Sequence, residues 1–304
     1  MPGFMSNNTA LTVYKADPAK FFHDDKKEHA LLPALEAHAF TSGIQADGVR
    51  LGWVGLGDPL DYAFNLGLET SGFPAFSLRV DTRKASAAAV KLQFAEALLE
   101  KEAEGEKLGG KAKKDLKEVI SARLTSQAPF IPTVTDCIWN MPDARLYVAS
   151  ASAKSLQAVL SLFETTFGIQ PQALTPKSDM ATIFAGICHA GEFPCGDYVL
   201  TPFGTASLAT SQQEEDKAQI AVQNNLQAVT AALDDGLKIQ KLRVVATAKS
   251  QPDLQLDFTV DAALSVSGLL LPKSEKGASP FDDFFLKSES CVRVANILEK
   301  LATL

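Results

Sequence analysis

Apolar positions along the chain change period several times, and those changes divide it into elements. Leu11, Val13 and Tyr14 mark a short strand over Ala10 to Lys15, followed by an Asp17-Pro18 turn. Leu31, Leu32, Leu35 and Ala39 place a helix over Glu28 to Phe40, with Pro33 expected in its first turn. Arg50 to Val54, Asp61 to Leu68 and Pro74 to Val80 read as strands. The period then becomes helical. Ala88, Leu92, Ala95, Leu99 and Ala103 recur at steps of three and four, which predicts the buried face of one helix. Leu116, Val119, Ile120 and Leu124 predict that of a second, after breaks at Gly105 and Gly109-Gly110. Together they predict an antiparallel helical hairpin.

Beyond the hairpin, Val134 to Asn140 and Arg145 to Ala149 predict a β-hairpin across Pro142-Asp143. Ser152 then caps a helix whose Leu156, Val159, Leu160, Phe163 and Phe167 share one face, and Gly168 ends it. Past Gln170 the pattern weakens. A helix is expected over Met180 to Ile187 and another over Glu214 to Leu233, then paired strands over Lys238 to Thr247 and Leu254 to Val260, and a closing helix over Ser288 to Leu301. In the last strand Leu254, Leu256, Phe258 and Val260 alternate with polar residues, the mark of a sheet with one wet face. The fold class expected is α+β: a mixed or antiparallel sheet backed by helices, a helical finger, and a second α+β unit.

Composition adds limits. The chain has 304 residues, enough for two or three units with real cores. Its net charge of −7 argues against a uniform polycation, but the charge is unevenly placed. From Arg79 to Arg123 there are eleven Lys and Arg against eight Asp and Glu, so this segment is +3 and the remainder about −10. Cys137, Cys188, Cys195 and Cys291 fall at irregular spacing and give no disulfide framework. The opening residues lack a signal-peptide pattern, and no apolar run approaches the roughly 20 residues of a membrane span. A reducing cytoplasm is the expectation.

The order of several motifs resembles one family. Leu-Thr-Val-Tyr at 11 to 14, Ala39-Phe40-Thr41, Leu51-Gly52-Trp53-Val54, Lys113-Lys114-Asp115-Leu116-Lys117, Ile138-Trp139-Asn140 and Ala151-Ser152-Ala153-Lys154 follow one another as in RdgC, the bacterial recombination-associated family. Phe281-Asp282-Asp283-Phe284 before a final amphipathic helix is similar too. The resemblance implies a ring-shaped homodimer that binds double-stranded DNA without sequence preference, associates with the nucleoid and limits access of the RecA recombinase. It implies a centre of residues 1–84 plus 125–169, a finger of 85–124 and a tip of 170–304. Phe130 would stand at the centre-to-centre dimer contact, while its setting between two prolines suits burial in its own domain equally well. The tip departs from the family. Ala209-Thr210-Ser211-Gln212-Gln213 has no Lys or Arg where the family carries a basic hook, and Asp257 replaces a basic residue.

The candidate DNA contacts are Arg79, Arg83, Lys84, Lys111, Lys113, Lys114 and Lys117. Phosphate contact needs exposed cations and nothing more specific, so a solvated mixed-charge hairpin is the alternative. His189 with Cys188 and Cys195 lacks the spacing of a zinc knuckle, and His23, Asp24, Asp25 and His29 read as a solvated turn. No metal or other cofactor is expected. Nor is catalysis: there is no Gly-x-Ser-x-Gly elbow, Walker loop or dinucleotide turn, and Asp282-Asp283 does not sit in a nuclease metal pattern. The rival readings are a protein-interaction scaffold on the same fold that has lost DNA affinity, and a metal-dependent exonuclease.

Overall fold

The computed structural model describes residues 3–22, 27–41, 49–64, 72–209, 217–221 and 226–304. The fold is α+β. The helices are α1 (Lys27–Ala37), α2 (Ala87–Ala103), α3 (Gly110–Gln127), α4 (Ala153–Phe167), α5 (Met180–Ala190), α6 (Leu226–Asp234) and α7 (Pro280–Thr303). The strands are β1 (Asn8–Lys15), β2 (Arg50–Val54), β3 (Ala75–Arg83), β4 (Phe130–Asn140), β5 (Arg145–Val148), β6 (Gln172–Ala173), β7 (Phe193–Cys195), β8 (Tyr198–Ala209), β9 (Lys217–Ala221), β10 (Lys238–Ala248), β11 (Gln255–Asp261) and β12 (Val266–Leu270). They follow the order β2-β3-β4-β5-β1-β12-β11-β10-β8-β7, with β6 added to β1 and β9 to β8. By packing, the chain divides into residues 1–39, 53–78 and 135–304 on one hand, and residues 40–52 and 79–134 on the other.

The larger unit is built on aromatic packing. Trp139 meets Phe163 and Phe167 edge-on or tilted at 5.1 Å, and Trp53 meets Phe76 edge-on at 4.9 Å. Each indole N–H finds an acceptor, as a buried indole requires: Trp53 donates to Thr166 Oγ1 at 2.8 Å and Trp139 to the Ala16 carbonyl at 3.0 Å. Helix α4 supplies Val159, Phe163 and Phe167 to this core and ends at Gly168, whose φ of 65° is the left-handed turn that glycine adopts freely. Further along, β10 and β11 pair antiparallel from Lys241–Asp261 to Thr247–Gln255, and their inward Leu242, Val244, Leu256 and Phe258 are buried. Arg145 of β5 ties this sheet to α7 through Asn296 at 2.7 Å and Glu299 at 2.6 Å.

The smaller unit holds the hairpin. Ser86 caps α2, and α2 and α3 run back along each other with Val90 and Ile120 buried. The face that α2 buries is not the predicted one. Leu92 and Leu99 are 61% and 67% exposed, and Ala88, Ala95 and Ala103 are exposed beside them. A second apolar stripe, Val90, Phe94, Ala97 and Leu98, has equal helical spacing and turns inward instead. It carries the bulkier Phe94 and the β-branched Val90, so its burial removes more apolar area than the alanine-rich stripe would. On α3, Leu116, Ile120 and Leu124 face inward as expected, while Val119 is 65% exposed.

Other expectations change as well. Pro33 lies inside α1 rather than in its first turn. Residues 61–64 are not strand: the Gly55 amide donates to the Asp61 carbonyl, and the Asp61 carboxylate accepts from Ala63, closing a turn. The rest of that predicted strand lies outside the described residues. The helix expected over Glu214 to Leu233 is β9 followed by α6, because Lys217 to Ala221 pairs antiparallel with Thr205 to Ala209 of β8. Strand pairing there overrides local helical propensity.

Candidate nucleic-acid interface

Charge in the smaller unit is positive overall. Residues 40–52 and 79–134 hold twelve Lys and Arg against nine Asp and Glu, in a chain of net charge −7. The described side chains fall into two groups by what they touch. Arg79 is turned into its own chain: it grips Asp81 with both Nε and Nη2 at 2.8 Å and lies 4.1 Å over the Phe40 ring. Its side chain is 15% exposed and that of Asp81 4%. Arg83 stacks on Phe130 at 4.3 Å and donates to the Ser126 carbonyl. Phe130 is half-buried at the start of β4.

The lysines form the second group. Lys84, Lys111, Lys113, Lys114 and Lys117 are all exposed. Lys114 has Glu118 at 3.9 Å, a loose pair with both side chains largely in water. Among the described residues no carboxylate lies within ion-pair distance of Lys84, Lys111, Lys113 or Lys117. Lys101 differs, since Glu106 at 2.8 Å and Glu104 at 3.0 Å hold it at the hairpin loop and push its pKa up.

Helical phase shows how the free lysines are grouped. Arg123 of α3 donates to Gln93 of α2 at 2.7 Å, which marks one flank of the hairpin. At about 100° per residue, Lys91 stands on the other flank of α2, and Lys114 and Lys117 stand on the matching flank of α3. Lys91, Lys114 and Lys117 therefore share a face, opposite the Arg123–Gln93 contact. Sequence reading passed over Lys91, which sits alone in an alanine-rich stretch. The signal that finds it is its phase relative to the buried Val90.

Arg243 grips Asp257 across β10 and β11 with two bonds of 2.8 Å, so neither charge is free. Gly204 of β8 makes room for this: a Cβ there would lie 2.8 Å from Arg243 Cδ, and its φ is 67°. Of the segment predicted as a weakened hook, residues 210–213 lie outside the described residues.

All four cysteines are free and buried, and burial pushes the thiols of Cys188 and Cys195 up to about 11 and that of Cys291 up to about 12. At neutral pH such thiols are protonated and poor metal ligands or nucleophiles. Asp282 receives the Ser279 hydroxyl at the start of α7, and Asp283 pairs with Lys287 at 2.8 Å. No group of three metal-ligating side chains occurs among the described residues. His23, Asp24 and Asp25 lie outside them. No described helix is long and apolar enough to cross a membrane.

Fold and charge together define an α+β protein, acidic overall, in which the unit that holds the helical hairpin carries a net positive charge. The family model described as "Putative exonuclease, RdgC" matches residues 9–266, and the chain belongs to the RdgC family. No curated protein matches the chain.

Proposed function

We propose that this protein binds double-stranded DNA through the phosphate backbone, without sequence preference, and that the finger lysines make the contact. One observation carries the reading: Lys91, Lys111, Lys113, Lys114 and Lys117 stand in solvent on one short hairpin, most of them with no carboxylate among the described residues to neutralise them. A helix surface of this kind offers point charges rather than a base-reading fork, which suits phosphate and not sequence. Lys84 adds to that charge. Arg79 is bound to Asp81 and contributes structure instead.

In this reading two copies assemble as a homodimer with the Phe130 segment at the contact, which concentrates two modest basic surfaces around one duplex. Occupied duplex is then closed to a RecA-type recombinase, and the protein resides on the nucleoid in the cytoplasm. Binding of unrelated duplexes with equal strength, falling steeply as salt rises, supports the reading. Absence of binding at low salt with the dimer intact supports a scaffold. Magnesium-dependent shortening of an end-labelled duplex supports the exonuclease activity that the family description names.

A further inference from the structure

Two guanidiniums pack on the ring of Phe130. Cζ of Arg50 lies 3.8 Å from its ring centre and Cζ of Arg83 lies 4.3 Å from it. All three residues belong to the smaller unit.

The two cations have no counter-charge among the described residues. Among the described residues neither has a carboxylate within ion-pair distance, and Asp81, two residues before Arg83, is held by Arg79. Among the described residues Arg83 donates only to the Ser126 carbonyl, and Nε of both arginines is buried without a partner. Two like charges held against one ring, both partly out of water, repel each other and lose hydration. Stacking on the ring offsets part of this cost, and an anion would offset the rest.

We propose that Arg50 and Arg83, packed on Phe130, form a two-point clamp for the phosphodiester backbone of a nucleic acid. The clamp rests on the DNA-binding reading and extends its contact surface from the finger helices to β2 and the end of β3. A guanidinium takes phosphate oxygens as a bidentate fork, and a phosphodiester chain is an anion that repeats along its length, as two fixed cations require. Exposed Lys84, next to Arg83, raises the local positive field further and favours a polyanion over a single carboxylate. Phe130 is then a positioning residue. Its ring is packed by arginines of its own chain, and Ile131, 50% exposed beside it, is left for apolar contact with a second copy.

Arg50→Gln, and separately Arg83→Gln, should be titrated with a short fluorescent DNA duplex at several salt concentrations, with melting as the check of folding and sedimentation as the measure of assembly. The clamp predicts a several-fold loss of affinity and a salt slope smaller by about 0.9 for each variant, with assembly unchanged. Arg50→Lys should regain the slope. A wild-type slope in both folded Gln variants overturns the clamp and leaves the finger reading intact. Loss of assembly with an unchanged slope overturns it in favour of a carboxylate on a second copy. Failure of the wild-type protein to bind the duplex overturns the clamp and the function it rests on together.

Discussion

Arg79 holds Asp81 by two bonds of 2.8 Å on one strand, and both side chains are withdrawn from solvent. The pair explains why a cation at the mouth of the finger is not part of its basic surface. Arg79→Ala leaves a buried carboxylate unpaired and should cost about 3 kcal/mol of stability, while the salt slope of duplex binding stays as in the wild type. Chemical denaturation and duplex titration of the one variant check both halves.

The inverted face of α2 has its own test. Ile120→Ala removes a buried side chain from the hairpin and should destabilise it by about 3 kcal/mol. Leu92→Gln and Leu99→Gln change exposed positions and should each stay within about 0.5 kcal/mol of the wild type. Comparable losses at Leu99 and Ile120 would mean that the stripe containing Leu92 and Leu99 is covered in solution.

The difference between those stripes also says what the sequence could and could not tell. β2 and the core face of α4 were legible because each has one period and one plausible buried side. On α2 two stripes of equal spacing compete, and only the partner helix decides between them. β8 was missed because Pro202 and Gly204 look like breakers, yet its pairing with β10 absorbs both at a register shift between Leu242 and Val244. The finger lysines were legible because exposed charge needs no partner to be recognised. Arg50 and its packing on Phe130 were not, since the ring and the two guanidiniums come from three separate stretches of chain that only the fold brings together.

Asp136 gives a pH signature. Burial holds its carboxyl above the ordinary range, even though Ser77 Oγ donates to it at 2.7 Å and the Phe4 amide at 2.9 Å. A group with a raised pKa in the folded state contributes stability that is fully present below its unfolded value near 4 and is lost as pH rises through the folded value. Asp136→Asn abolishes that titration and can still accept from Phe4 and bond Ser77. The melting temperature of the variant relative to the wild type should rise as pH goes from about 4 toward neutrality. A constant difference over that window would show an unshifted carboxyl.

Replacing Lys111, Lys114 and Lys117 together by Gln, with the fold verified by melting, puts the central claim to its plainest trial when duplex affinity is followed against salt concentration. The account predicts an intact protein whose affinity drops clearly and whose log–log salt slope shrinks by about 0.9 for each phosphate contact removed. A variant that binds as tightly as the wild type, with the same slope, would contradict it.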